Sequence, residues 1–391
     1  MKIAIMIPEL TGGGAQRAAQ VLGDYLIDQG HEVFYFLLDS ISPRAYKVNG
    51  KIVYINISRY REDIFRGDDH LFWRGIKQAG TIIKKVKKEC KIDVSISFME
   101  ECNFLNVVSS VGEKIIVSIR TTLSEREEMK GFLYNKDNIR KIYNRADWIV
   151  AVSEYVKKDL EDNYGLCVKK LIAIPNAAMR HNDINKNQNE WPYGNKAILS
   201  VARINPEKQH DHIIKAFRYV HEQFKDSVLI ILGVGHLEDY MKWYSRINGV
   251  EEYVHFIGFE EDIGYYMSNS RVFVMASKAE GFPNSMVEAM SYGMPVVTTN
   301  SPGGCREIAA DDINSIVDNV CYEKYGIMVP YIKGKARPDH DYPEDEYLAE
   351  ALKRVLADEE LYEKYSARSL ERASYYSYDK VMEKWTNIIG R

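Results

Sequence analysis

The sequence has little cysteine. Its five residues (Cys90, Cys102, Cys167, Cys305 and Cys321) are odd in number, widely separated and free of any CxxC pair. That excludes a disulfide framework and a zinc cluster, and it fits a reducing compartment. Long apolar runs are also lacking. No stretch approaches the ~18–20 residues that span a bilayer. Only Ile3 to Ile7 separate Lys2 from Pro8, too few for a signal-peptide core. The expected setting is the cytoplasm, free or peripheral on the cytoplasmic face of a membrane. Strong net charge is absent too. A formal charge of −4 excludes a generally basic nucleic-acid binder, so no nucleic-acid partner is expected. The charge is uneven, however. Residues 1–180 hold 28 Lys and Arg against 23 Asp and Glu, and residues 181–391 hold 24 against 33. A mildly basic half and an acidic half are suited to different partners.

A chain of 391 residues, 46% hydrophobic and 28% charged, has material for two sizeable cores. Short β-branched runs alternate with amphipathic stretches, the pattern of α/β domains with parallel sheets. Strands are expected at Lys2–Ile7, Val33–Leu38, Val94–Phe98, Ile115–Ile119, Trp148–Val152 and Leu171–Ile174. After the Asn-rich stretch His181–Glu190 a second series begins. It runs through Ala197–Val201, Val228–Leu232, Tyr253–Ile257, Val272–Ala276 and Pro295–Thr298. Both halves open strand, loop, helix, strand. Two doubly wound, Rossmann-like domains are therefore expected, 1–178 and 179–375, facing across a cleft that holds the ligands. The tail reads as an acidic loop (Arg337–Glu346), a helical stretch Leu348–Leu361 and a last helix. Val381, Trp385 and Ile388 give that helix, within 376–391, an apolar stripe for docking back on the first domain.

Gly12-Gly13-Gly14-Ala15-Gln16-Arg17 lies between the first strand and a helix, where exposed N–H groups and the helix dipole favour an anion. Gly12-x-Gly14, with Asp39 ending the second strand, also resembles a dinucleotide fingerprint. Its third glycine position is Arg17, whose long side chain spoils close helix–strand packing. A nicotinamide-linked oxidoreductase is the alternative enzyme on that basis.

The run Glu280-Gly281-Phe282-Pro283-Asn284-Ser285-Met286-Val287-Glu288 is the most specific stretch. A Gly/Pro loop enters a helix with Asn284 or Ser285 as expected N-cap, and the amides at that start can bind a diphosphate without a metal. Glu280 and Glu288 can each accept several hydrogen bonds from hydroxyl groups. Arg203 and Lys208 follow the first strand of the second half, where a planar fork and a point charge can neutralise a diphosphate. Asp339-His340-Asp341, a DxD string of the kind that holds metals, is read as a solvated acidic loop. His210-Asp211-His212 is read as the polar start of a helix.

Glu280 and Glu288, with seven residues between them, resemble the paired-glutamate motif of retaining glycosyltransferases of family 4, which have the GT-B fold. The likeness extends over six motifs in order: Gly12–Arg17, Val168–Asn176, Ser200–Lys208, Leu232–Gly235, Val254–Gly258 and Glu280–Val297. It implies transfer of a hexose or N-acetylhexosamine from a nucleotide sugar, a UDP-linked one, in polysaccharide or glycoconjugate synthesis. On the donor it places Arg203 and Lys208 at the diphosphate and Glu288 at the ribose. Glu280 and the amides of Gly281 to Met286 meet the sugar, the backbone of Ile257 meets the base, and Gly13 and Gly14 approach the phosphates. It implies no metal and no cofactor beyond the nucleotide sugar as co-substrate. The acceptor, a saccharide or lipid-linked saccharide, falls to the first domain. A histidine common there in relatives, which contacts the donor sugar, is missing, since no His lies between His70 and His181. Arg120 is the candidate substitute, Arg17 is a candidate contact for an acidic or phosphorylated acceptor, and both are candidate acceptor-binding residues. A catalytically silent nucleotide-sugar-binding module is the alternative of another class. Residues 73–91 carry seven cations and one acid beside Trp73, Ile76, Ile83 and Val86. That pattern fits contact with an anionic membrane and fits equally a helix packed on the first sheet, weakened by Gly75 and Gly80.

Overall fold

The computed structural model describes residues 1–11, 13–38, 47–65, 68–125, 131–178, 191–260 and 263–390. Gly12, Asp39 and the stretch 181–190 lie outside the described residues. The chain divides into two compact units: Met1–Ala177 with Asp379–Arg391, and Ala178–Tyr378.

The first unit runs β1 (Lys2–Ile7), α1 (Gly14–Asp28), β2 (Glu32–Leu37), β3 (Lys51–Tyr54), α2 (Ser58–Phe65), α3 (Asp69–Cys90) and β4 (Val94–Phe98). It continues α4 (Glu100–Val108), β5 (Lys114–Ile119), α5 (Lys136–Tyr143), β6 (Trp148–Ala151), α6 (Glu154–Tyr164) and β7 (Leu171–Ala173). The strands form one parallel sheet in the order β3-β2-β1-β4-β5-β6-β7. Its central strands are buried on both faces, as their unbroken apolar runs require.

α3 holds most of residues 73–91 and packs one face against the first unit. Phe72, Ile76, Ala79 and Ile83 are buried, and the Phe72 ring meets Phe104 and Phe132 at centroid distances of 5.9 and 5.4 Å. Ile76 and Ile83 of the apolar stripe are thus covered by protein, while Trp73 and Val86 are half-buried. Gly75 and Gly80 do not weaken the helix but admit its neighbours. A Cβ would come within 2.9 Å of Ile64 Cγ1 at Gly75 and of Val108 Cγ2 at Gly80. Lys77, Lys84, Lys85, Lys88 and Lys91 are exposed, whereas Lys87 is fully buried. The Lys87 ammonium donates to Glu113 Oε1 at 2.6 Å and to Asn106 Oδ1 at 2.7 Å and the Asn106 carbonyl at 2.9 Å.

The second unit runs β8 (Ala197–Val201), α7 (His210–Gln223), β9 (Val228–Leu232), α8 (Glu238–Ile247), β10 (Val254–Gly258), α9 (Gly264–Asn269) and β11 (Val272–Met275). Then follow α10 (Asn284–Ser291), β12 (Val296–Thr299), α11 (Gly304–Ala310), β13 (Cys321–Tyr322), β14 (Ile327–Val329), α12 (Pro343–Ala357) and α13 (Glu359–Tyr375). The order is β10-β9-β8-β11-β12-β14-β13, parallel except for the short β13. The single helix expected at Leu348–Leu361 is two, because the Asp358 carboxylate accepts from Leu361 N at 2.9 Å and starts α13. His210-Asp211-His212 opens α7 but is buried rather than a polar surface. His212 Nδ1 lies 2.6 Å from Asp345 of α12, and Asp211 accepts from Ala336 N at 3.0 Å.

The last helix, α14 (Tyr378–Ile389), packs in the first unit. Its Trp385 ring lies 6.3 Å from Phe98, and Lys114 Nζ donates to the Ile389 carbonyl at 3.0 Å. In each sheet the strand order turns back at the centre, between β1 and β4 and between β8 and β11. Ligands bind beyond the carboxyl ends of strands at such points.

Candidate active site

The loops leaving β8 and β11 carry the residues singled out in the second unit. They are joined at the backbone, where Lys278 N donates to the Glu207 carbonyl at 2.9 Å. One residue further along the first loop, the Lys208 ammonium is hydrogen-bonded to Glu280 Oε1, with both side chains mostly buried. Lys208 and Glu280 are therefore one unit and not two separate ligands. Arg203 is exposed on the same loop and makes no ion pair among the described residues. Glu288 is half-buried on α10.

Two glycines position this pair. Gly233, with φ of 137°, lets the loop after β9 lie against the Arg203 loop; a Cβ there would overlap the Ala202 carbonyl. Gly303, with φ of 114°, lies directly beneath Glu280. Glu280 N donates to the Pro302 carbonyl at 3.1 Å, and Gly304 N donates to the Glu280 carbonyl at 2.9 Å. A Cβ at Gly303 would overlap that carbonyl oxygen. The clamp Pro302-Gly303-Gly304 escaped the sequence reading, although adjacent glycines after a buried strand are a signal of close backbone approach. Gly303→Ala is expected to displace Glu280 and lower turnover by about an order of magnitude. Steady-state assay beside circular dichroism checks this, and unaltered kcat with an unaltered fold would disprove the clamp.

α10 starts at Asn284, within the expected pair, but its cap differs from expectation. The N-cap is Pro283, without a side-chain cap, and Asn284 is the first helical residue. Neither Asn284 nor Ser285 caps, because Pro283 takes the cap position ahead of both. Met286 N is also spent, donating to the Pro283 carbonyl at 3.1 Å. Gly281, Phe282 and Pro283 are buried, and the Phe282 ring rests on Tyr376 at 5.2 Å. Asn284 and Ser285 are half-buried.

Other polar groups lie at the same sheet edge. The His210 ring is fully buried with neither nitrogen bonded, and burial together with nearby Lys208 pushes its pKa down to about 4. It is neutral at physiological pH. Cys305 is buried, and burial plus the Glu280 charge push its thiol up to about 11, so it is no nucleophile. The Asp339-His340-Asp341 string is exposed and engaged elsewhere, Asp341 with Lys215 at 3.1 Å and Asp339 with Arg337 at 3.3 Å. Ile257 sits in β10 at the sheet edge, where the register with β9 shifts between Phe256 and Gly258 and leaves Ile257 without a cross-strand partner.

The remaining candidates belong to the first unit. Gly13, with φ of 137°, is the N-cap of α1; Gly14 and Arg17 are exposed in its first turn. Arg120 follows β5, with Nη1 donating to Ser118 Oγ at 3.2 Å and Nη2 to Asn176 Oδ1.

Two family models match in succession: Glycosyltransferase Family 4 over residues 12–178 and Glycosyl transferases group 1 over residues 181–324. Over 387 residues the chain is 27% identical to the N-acetylgalactosamine-N,N'-diacetylbacillosaminyl-diphospho-undecaprenol 4-alpha-N-acetylgalactosaminyltransferase of Campylobacter jejuni, covering 97% of this chain and 96% of that protein. It is 22% identical over 393 residues to the amylovoran biosynthesis glycosyltransferase AmsD of Erwinia amylovora, covering 100% and 99%. Among solved structures, HepE of Anabaena in complex with UDP and glucose superposes with a TM-score of 0.72 at 17% identity, covering 100% and 99%. Both family models set aside the nicotinamide-linked oxidoreductase. The chain is a glycosyltransferase of the GT-B fold that resembles family 4, and it belongs with the enzymes of polysaccharide and glycoconjugate biosynthesis.

Proposed function

We propose that the protein transfers a hexose or N-acetylhexosamine from a UDP-sugar to a saccharide or lipid-linked saccharide, with retention at the anomeric carbon and without a metal. The observation that carries this reading is the Lys208–Glu280 couple beyond the central strands of the second sheet, with Arg203 exposed on the same loop as Lys208. An ammonium has three donors. One is given to Glu280, which leaves two for oxygens of the diphosphate. Arg203 adds a planar fork to the same group, and Glu288 takes the ribose hydroxyls. Glu280, its backbone clamped and its carboxylate held by Lys208, accepts from the sugar, with the backbone of Gly281 to Ser285 beside it. The backbone of Ile257, at the shift in register with β9, is assigned to the base. In the first unit, the α1 start at Gly13 and Gly14 offers amides to an anionic group, and Arg17 and Arg120 serve the acceptor.

As the bond from the anomeric carbon to phosphate breaks, negative charge gathers on the departing oxygen. A cation already in place is complementary to that state, more than to the intact donor. The acceptor hydroxyl forms the new bond on the same face and passes its proton to the phosphate oxygen, so no side chain is required as base. Support for UDP comes from the HepE complex, and support for a lipid-linked acceptor from the diphospho-undecaprenol in the Campylobacter enzyme's name.

A panel of nucleotide sugars, assayed for hydrolysis and transfer with and without EDTA, tests the reading. A UDP-sugar is expected to be turned over at the same rate in both arms. Strict dependence on Mg²⁺ would overturn the metal-free assignment, and binding without turnover would identify a silent module.

A further inference from the structure

Arg120 lies in a setting that protein groups alone do not complete. Its two bonded acceptors, Ser118 Oγ and Asn176 Oδ1, are both neutral. The guanidinium stands 5.7 Å from the centroid of the Phe98 ring, and its Nε is buried with no acceptor. No carboxylate pairs with it among the described residues. The contrast within the same unit is Arg61, which meets both oxygens of buried Glu101 at 2.9 Å. A recessed cation without an anion carries an uncompensated desolvation cost. Burial accordingly pulls the Arg120 pKa down to about 9.

The neutral contacts fix the plane of the fork and leave three of its five N–H groups unspent. A pre-set planar fork suits the two oxygens of a phosphate or carboxylate. We propose that Arg120 seats an oxyanion carried by the acceptor, either a phosphate or diphosphate ester or a uronic carboxylate. The assignment rests on the reading that the acceptor belongs to the first unit, whose sequence is the mildly basic half. The donor's own diphosphate is the competing source, and the experiment separates the two.

The first arm measures Kd for inorganic pyrophosphate and for UDP by calorimetry, on the wild-type protein and on Arg120→Gln and Arg120→Lys. Pyrophosphate affinity in the presence of saturating UDP is expected to fall about tenfold or more in Arg120→Gln, with an intermediate loss in Arg120→Lys. UDP affinity is expected to hold within about twofold. The second arm compares kcat/KM for a diphosphate-linked saccharide with that for its neutral glycoside; their ratio is expected to fall about tenfold in Arg120→Gln. Loss of UDP affinity would assign the fork to the donor, and unchanged pyrophosphate affinity or an unchanged ratio would overturn the site. If the wild type transfers no sugar, the glycosyltransferase mechanism fails while the calorimetric arm still decides the anion seat. If Arg120→Gln does not fold by circular dichroism, Arg120→Lys decides, since wild-type pyrophosphate affinity in it would also overturn the site.

Discussion

Lys208→Ala is expected to lower kcat by about 10²–10³-fold, because it removes a pre-placed cation from the departing phosphate oxygen. The loss should fall on kcat more than on KM, since the interaction strengthens as charge develops. The couple with Glu280 adds a second consequence. Without its partner the Glu280 carboxylate is left mostly buried and negative beside an anionic diphosphate, so the variant is expected to bind UDP more weakly as well. Lys208→Arg should recover part of the activity, because it restores charge but not the compact geometry. The fold is expected to survive, as the pair lies on loops beyond the strand ends and outside the packed core. Single-turnover kinetics with a UDP-sugar, beside thermal melts, make the test; wild-type kcat in Lys208→Ala would remove the site assignment.

The largest stability effect is expected at Lys87. Its ammonium and the Glu113 carboxylate are wholly inaccessible and 2.6 Å apart, with Ser95 and Asn106 completing the shell. Lys87→Met strands a buried carboxylate, which costs about 3–5 kcal/mol. The double variant Lys87→Met/Glu113→Leu is expected to regain most of that, because it removes both desolvation penalties. Burial opposes ionisation of Glu113, but Lys87 and the Val111 amide outweigh it and hold the carboxyl below its ordinary value. A carboxyl depressed in the folded state adds stability that is full above its ordinary pKa of 4.5 and fades as pH drops through the lower folded value. Urea titrations between neutral and acid pH are expected to show this loss in the wild type and not in the double variant. Equal stability of Lys87→Met and wild type would refute the account.

The parallel sheets were legible because their strands are buried on both faces and read as unbroken apolar runs. Lys2–Ile7, Val94–Phe98, Ala197–Val201 and Val228–Leu232 fall where those runs begin and end. Short strands such as Cys321–Tyr322 and Ile327–Val329 were not, since two or three residues carry no periodicity. Neither was Lys51–Tyr54, a half-exposed edge strand without a buried run. In the site, residue types announced Glu280, Glu288, Arg203 and Lys208. That Lys208 binds Glu280 at a sequence separation of 72, and that Gly303 underlies it, depends on loops brought together by the strand order. The cap of α10 was misread because Asn and Ser suit an N-cap intrinsically, while the loop geometry puts Pro283 there. The apolar stripe of α3 was ambiguous for a related reason. Spacing says that a face is apolar, and only packing says what covers it.

The placement of α14 has a consequence for biosynthesis. The first unit is assembled from two stretches of chain, 1–177 and 379–391, with some two hundred residues of the other unit inserted between them. On the ribosome its sheet can form early, but the surface that receives Trp385 around Phe98 stays open until residues 379–391 are translated. The second unit, continuous in sequence, completes first, and the nascent chain carries an exposed apolar patch throughout that interval.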